Sequence, residues 1–230
     1  VLHQLAAPGA PLLWGTSAAA FDIRSEAAAT GAIETSMLTC GMAEVGKRLG
    51  LPTQAYAGVS DAKELDAQAG LESASGALLA ALAGVNSVSG PGLLDLDNGF
   101  SLAKLVLDHE LCGMALRLAR GVEPRDDFPA LPLLGELLSE KHLLIARHTR
   151  RHLKQEITFP GPAIDRSGEA RWRADGAATL AERAEREVER LVTAWAPPPL
   201  PDDTHRELVR VMESAARLAG CAALPAWEGA

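Results

Sequence analysis

Between Ala57 and Gly70 the chain reads AGVSDAKELDAQAG. Two carboxylates, Asp61 and Asp66, stand there with the ammonium of Lys63 and the amide of Gln68, where a short apolar run gives way to an alanine-rich stretch. A connecting turn needs only a glycine and a cap. Asp66 is well placed as that cap or as a first-turn acid. Asp61, Lys63 and Gln68 are left without a purpose. We read Asp61 and Lys63 as lining the mouth of a site and Asp66 and Gln68 as bracing its loop; the alternative for Lys63 is that it points to solvent. A second polar pair, Asp22 and Arg24, has two readings. It is a loop-tying ion pair, worth about 0–1 kcal/mol if exposed, or its guanidinium fork receives a substrate carboxylate.

Other spacings carry less. His148 and His152 are four apart in HTRRH and could share a helix face. The glutamate of H-E-x-x-H is absent, and Arg150 and Arg151 crowd the pair, which argues against zinc. GPG (90–92) is a weak anion cradle. DLDNG (95–99) lacks the terminal glutamate of a calcium loop and reads as a strand-to-helix turn. The three cysteines, Cys40, Cys112 and Cys221, form no C-x-x-C pair and read as reduced core thiols of a cytoplasmic protein.

The elements that must hold these groups recur. PLLWG (11–15), TQAYAG (53–58) and NSVSG (86–90) are strand-like, and each is followed by a polar loop and a helix. The helices run from about Ile33 to Leu49, Asp66 to Ala83 and Ser101 to Arg120, each with a glycine at its stop. In the first, Ile33, Met37, Leu38, Met42, Val45 and Leu49 share one face. Such alternation implies parallel strands with crossover helices, and sites at the carboxyl ends of the strands. After about residue 125 the strand signal fades. Short helices and turns come first, then a long amphipathic helix from Glu169 to Trp195. PPPLP (197–201) reads as a rigid spacer, and a last helix, roughly 202–218, turns Leu208, Val211, Met212 and Ala215 inward.

A chain of 230 residues, 47% apolar, can bury a sizeable core. Its net charge of −8 argues against nucleic acid or an anionic membrane as partner and suits a cationic ligand. No run reaches membrane-spanning length, and no signal peptide is visible. The opening VLHQLAAPGAPLLW has no initiator methionine and looks like the interior of a longer protein.

PGAPLLWG, FDIRSEAAATGAIE, GLPTQAYAGVSDAKELDAQAGLE, LLAALAGVN, GPGLLD, KLVLDHELCGMALRLARG, HTRRHLKQE, FPGPAIDR and PPPLPDD occur in this order. Together they resemble the trimethylamine methyltransferase family, which also holds glycine betaine methyltransferases. The ordered set is specific, and SDAKELDAQAG is its most distinctive part. The resemblance implies a TIM-type (β/α) barrel with parallel strands. Residues 1–125 would supply three βα units, and 126–230 a helical C-terminal extension packing on the barrel. Family members run to about twice this length, so the chain looks like their C-terminal half.

The implied reaction moves a methyl group from a methylated amine to the cobalt of a corrinoid (cobalamin) carried by a separate partner protein, with no cofactor bound tightly by this chain. DLDNG and the 140–165 region are candidate surfaces for that contact. Trimethylamine-specific members carry a pyrrolysine. Every position here is a standard residue, which leans toward members acting on betaines or similar quaternary amines. Ser89 stands where many relatives have histidine, and RSE where they commonly have Arg-Thr-Gly. A quaternary ammonium donates no hydrogen bond and is held by aromatic faces and negative charge. Trp14 and Tyr56, at matching strand ends, either line such a site or only fill the space between strands and helices. The candidate substrate contacts are therefore Trp14, Asp22, Arg24, Tyr56, Asp61, Lys63, Asp66, Gln68, Ser89 and Asp95. The expected assembly includes the corrinoid protein and admits a homo-oligomer. The alternative function is a truncated or decayed, non-catalytic paralogue serving as a binding or assembly subunit.

Overall fold

The computed structural model describes residues 2–125, 130–196, 200–221, 223 and 224. Most of PPPLP, residues 197–199, therefore lies outside the described residues. A short helix α1 (Leu2–Ala6) leads into strand β1 (Trp14–Thr16), a hairpin β2 (Ala20–Asp22) and β3 (Ala27–Ala29), and helix α2 (Ile33–Arg48). Strand β4 (Thr53–Ala55), helix α3 (Ala67–Leu82) and strand β5 (Ser87–Val88) follow. A second hairpin, β6 (Leu93–Leu94) and β7 (Gly99–Phe100), then precedes helix α4 (Leu102–Ala119).

β1, β4 and β5 form a parallel sheet with β4 in the middle. Trp14 pairs with Thr53 and Thr16 with Ala55; Gln54 pairs with Ser87 and Ala55 with Val88. Each expected strand and crossover helix is present, with the strands shorter than the runs that announced them. Among the described residues this sheet is open and does not close into a barrel. The two hairpins are antiparallel and sit inside what read as plain loops. AAA in β3 has little strand propensity of its own, so pairing with β2 imposes the conformation.

Packing runs on small residues. Ala69, Ser73, Gly76, Ala77 and Ala80 are the buried face of α3, and Lys104, Leu107, Asp108 and Ala115 that of α4. In α2 the apolar face is not the buried one. Thr35, Thr39, Ala43 and Gly46 face inward, while Ile33, Met37, Leu38, Val45 and Leu49 are exposed. Close approach explains the inversion. A side chain at Gly46 would strike the Trp14 ring and Thr53, so the helix seats on β1 and β4 through its smallest residues.

Beyond α4 come α5 (Leu131–Glu140), α6 (Arg147–Glu156), α7 (Glu169–Ala174), α8 (Leu180–Ala194) and α9 (Asp202–Leu218). The single long helix expected over 169–195 is two. Gly176 and Ala177 turn left-handed at φ 95° and 51°. Thr179 then opens α8 with a reciprocal cap: its amide donates to Glu182 Oε2 at 2.6 Å, and the Glu182 amide donates back to Thr179 Oγ1 at 3.3 Å. The chain divides into two compact units between Leu191 and Val192. In α9, of the second unit, Leu208, Val211 and Met212 are about half exposed rather than turned inward. No helix among the described residues is long and apolar enough to cross a membrane.

Candidate functional site

The segments that follow the three parallel strands meet at one cavity of about 440 Å³. Thr16, Ser17, Ala18 and Ala19 come from the end of β1, Tyr56 from the end of β4, and Leu93 and Asp97 from the hairpin after β5. Thr30, Thr35 and Thr39 close the side toward α2. Sites at the carboxyl ends of parallel strands are the general pattern of α/β proteins.

Each wall has a local reason. Thr35, one helical turn before Thr39, donates to the Ala29 carbonyl at 2.6 Å and accepts from the Ala20 amide at 2.9 Å, stapling both ends of the first hairpin to α2. The second hairpin is more unusual. Asp95, Leu96 and Asp97 are consecutive left-handed residues at φ 51°, 55° and 67°. L-residues adopt that region at about 1–2 kcal/mol each, so the surroundings must over-determine it. They do: the Asp95 amide bonds the Ala62 carbonyl at 2.9 Å, and Asn98 bonds back to the Asp95 carbonyl through its amide at 3.0 Å and its side chain at 2.9 Å. The outcome is Asp97 in the cavity wall.

Two carboxylates share this corner. Asp61 Oδ1 accepts from Thr30 Oγ1 at 2.8 Å and from the Gly31 amide at 2.9 Å. Burial pushes the Asp97 carboxyl above its usual range, the charge of Asp61 adds to the rise, and the Thr30 hydroxyl opposes it. Behind them, Glu72 Oε2 accepts from Ser60 Oγ at 2.6 Å and from the Asp61 amide at 2.8 Å, while its Oε1 accepts from Gln68 Nε2 at 2.9 Å. The result is a cavity that Asp97 and Tyr56 both line, with Asp61 and Glu72 behind Thr30; among the described residues lining it there is no arginine, lysine, histidine or cysteine.

The structure distributes the expected site residues as follows. Tyr56 lines the cavity, and Asp61 reaches it through Thr30. Asp66 caps α3, accepting from the Ala69 amide at 3.0 Å, and Gln68 holds Glu72. Lys63 is largely exposed; it donates to the Asp61 carbonyl at 2.6 Å and lies 3.4 Å from Asp95. Trp14 stands apart from the lining: its indole packs on Gly46 and donates to the Met42 carbonyl at 2.9 Å. Arg24 also stays outside, 87% exposed and bidentate to Asp22 at 3.0 and 2.7 Å. That side-chain bond is the main reason the Asp22 carboxyl falls to about 2. Ser89 accepts from Gln54 Nε2, and its amide bonds the Ala55 carbonyl at 3.0 Å. His148 is bonded through Nε2 to the Arg125 carbonyl at 2.9 Å.

Sequence reasoning passed over Asp97, Thr30, Thr35 and Thr39. The available signals were Thr35 and Thr39, polar and four apart on a mostly apolar helix, and the Asn-Gly after Asp97, which marks a hairpin.

This is an α/β protein with a cavity over the carboxyl ends of its parallel strands. The family described as trimethylamine methyltransferase (MTTB) matches residues 1–217, and the chain belongs to it. It is 30% identical over 213 residues to trimethylamine methyltransferase MttB of Desulfitobacterium hafniense (strain DSM 10664 / DCB-2), covering 93% of this chain and 42% of that protein. It is 30% identical over 217 residues to MttB of Methanosarcina barkeri, covering 94% and 43%. Similarity to the glycine betaine methyltransferase of D. hafniense (strain Y51) is 30% over 208 residues, covering 90% and 43%. The chain thus spans less than half the length of these relatives.

Proposed function

We propose that this chain forms part of a methyltransferase that takes a methyl group from a quaternary or tertiary methylamine and delivers it to the cobalt of a corrinoid held by a partner protein. The observation that carries the reading is the convergence of Tyr56, Asp97 and, through Thr30, Asp61 on one cavity at the strand ends. A methylated ammonium of this class offers at most one N–H, and a quaternary one offers none. It is recognised by an aromatic face and by negative charge, which this wall supplies. The family membership and the names of the relatives support the same substrate class.

The residues then have defined tasks. Tyr56 and the carboxylates hold the cation and set which methyl faces the opening. The threonines and Leu93 complete the wall. Reduced cobalt would supply the nucleophile. The C–N electron pair stays on nitrogen, so a quaternary donor departs as a neutral amine, and a tertiary donor does so when it enters as its N–H ammonium; neither takes a proton from the protein. The lining is therefore asked to hold the cation, through Tyr56 and Asp97, rather than to move a proton. The cationic end of a betaine suits this cavity. Its carboxylate would find no arginine there, since Arg24 is engaged with Asp22. The same reading makes the open sheet a segment of a larger β/α barrel, with residues 126–230 as its helical extension and the partner docking over the cavity mouth.

The test is a methyl-transfer assay with cob(I)alamin and a panel of methylamines and betaines. Transfer from at least one methylated cation is expected. Absence of transfer from every member of the panel would favour a binding or assembly subunit instead.

A further inference from the structure

Lys104 and Asp108 are one turn apart on α4, and their side chains are 0% and 2% exposed. Lys104 Nζ donates to Asp108 Oδ2 at 2.5 Å and to the Gly58 carbonyl at 2.9 Å. Asp108 Oδ2 also accepts from the Gly92 amide at 2.7 Å. Gly58 lies two residues past Tyr56, and Gly92 immediately precedes Leu93. Both glycines are left-handed, at φ 74° and 90°, where the chain turns away from the sheet. A buried ion pair is rarely more stable than a well-packed apolar pair in the same space. Stability therefore does not explain why α4 carries ions here. Apolar side chains could not bond two loop backbones from one helix face.

We propose that Lys104 and Asp108 are positioning residues, which tie the loop after β4 and the loop after β5 to α4 and so fix the spacing of Tyr56 against Leu93 and Asp97. The link to substrate rests on reading the cavity as the methylamine site; the tethering does not. Supporting contacts run the same way. The Ser60 amide bonds the Leu93 carbonyl at 3.3 Å. A side chain at Gly90 would strike the Ala57 carbonyl and Val59. The two loops thus touch along their backbones, and α4 sets where both sit.

The double substitution Lys104→Met/Asp108→Leu separates positioning from packing. It replaces the ions with apolar groups of similar size and removes both tethers. We expect it to fold with a lowered unfolding temperature, because the buried Gly58 carbonyl and Gly92 amide lose their partners, while amide hydrogen exchange in 57–61 and 90–97 rises at least about tenfold relative to α2. Tetramethylammonium, used as the probe cation, should bind about tenfold more weakly by calorimetry. Loop exchange like that of the wild type in a folded double variant would overturn the proposal. If the double variant does not fold, native-state exchange of the wild-type protein decides: loop amides 58–61 and 92–94 that open together with α4 support the tether, and loop openings independent of α4 overturn it. Should loop exchange rise as expected while the wild-type protein itself binds no tetramethylammonium, the tether stands and the methylamine reading falls.

Discussion

The stretch from β1 to α4 and the helices from α7 onward both carry many charges and use them in opposite ways. In the later helices the pairs are local. Arg171–Asp175, Arg173–Glu169, Arg210–Glu207 and Arg217–Glu213 are three or four residues apart and open to solvent. Each supports its own helix weakly. The earlier stretch has local pairs too, such as Arg24–Asp22, but it adds bonds that span the chain. Lys104 reaches Gly58, Asp61 reaches Thr30, and Glu72 reaches Ser60 and Asp61. These groups are buried or half-buried, so each must be partnered. Charge at the surface holds a helix; charge in the interior fixes loops against one another.

The hardest blow to that contrast is Lys104→Met alone. It leaves Asp108 buried opposite an apolar group and should destabilise the folded state by about 3–5 kcal/mol. Chemical denaturation reads it directly. A loss below about 1 kcal/mol would place the pair with the surface bridges.

At Asp97 the contrast becomes a matter of pH. Burial and the neighbouring Asp61 raise its carboxyl above the ordinary range, with Thr30 opposing. The folded state therefore holds that proton to higher pH than the unfolded chain. Its stability contribution is complete below the unfolded value and is lost as pH rises through the folded one. Cation binding runs the other way. The ionised form attracts the ligand, so tetramethylammonium affinity should fall as pH is lowered through that raised value. Asp97→Asn should weaken binding several-fold at neutral pH and flatten the pH dependence, both read by titration calorimetry. An unchanged profile would remove Asp97 from the site.

The parts legible in the sequence were those with a period or a boundary residue. Three strand–helix units, their parallel pairing and the Asp66 cap follow from apolar spacing and glycine stops. The buried face of α2 was hidden because Thr35, Thr39, Ala43 and Gly46 are buried for their size, and a hydrophobic pattern cannot report size. The hairpin β2–β3 was hidden because alanine strands exist only through pairing. Lys104 and Asp108 were hidden because a lysine and an aspartate four apart read as a solvated helix face, and only the tertiary fold buries them. Asp97 stood within DLDNG, but its aim depends on three left-handed residues in a row; aspartate tolerates that region singly, whereas Leu96 and the unbroken run have no local propensity behind them.

Smaller effects belong to the later helices. Thr179→Ala removes the cap that separates α8 from α7 and should cost about 1 kcal/mol in unfolding free energy. If α8 and α7 instead fused on that change, helix content by circular dichroism would rise rather than fall. Least of all should be Arg210→Ala in α9. Its partner Glu207 is one turn away, and both side chains are mostly in water. Holding two long side chains in one geometry offsets the attraction, and salt screens the remainder. The unfolding midpoint should therefore not move measurably at physiological ionic strength. A clear shift would mean that this pair acts beyond its own helix, and the division between local and long-range charges would have to be redrawn around α9.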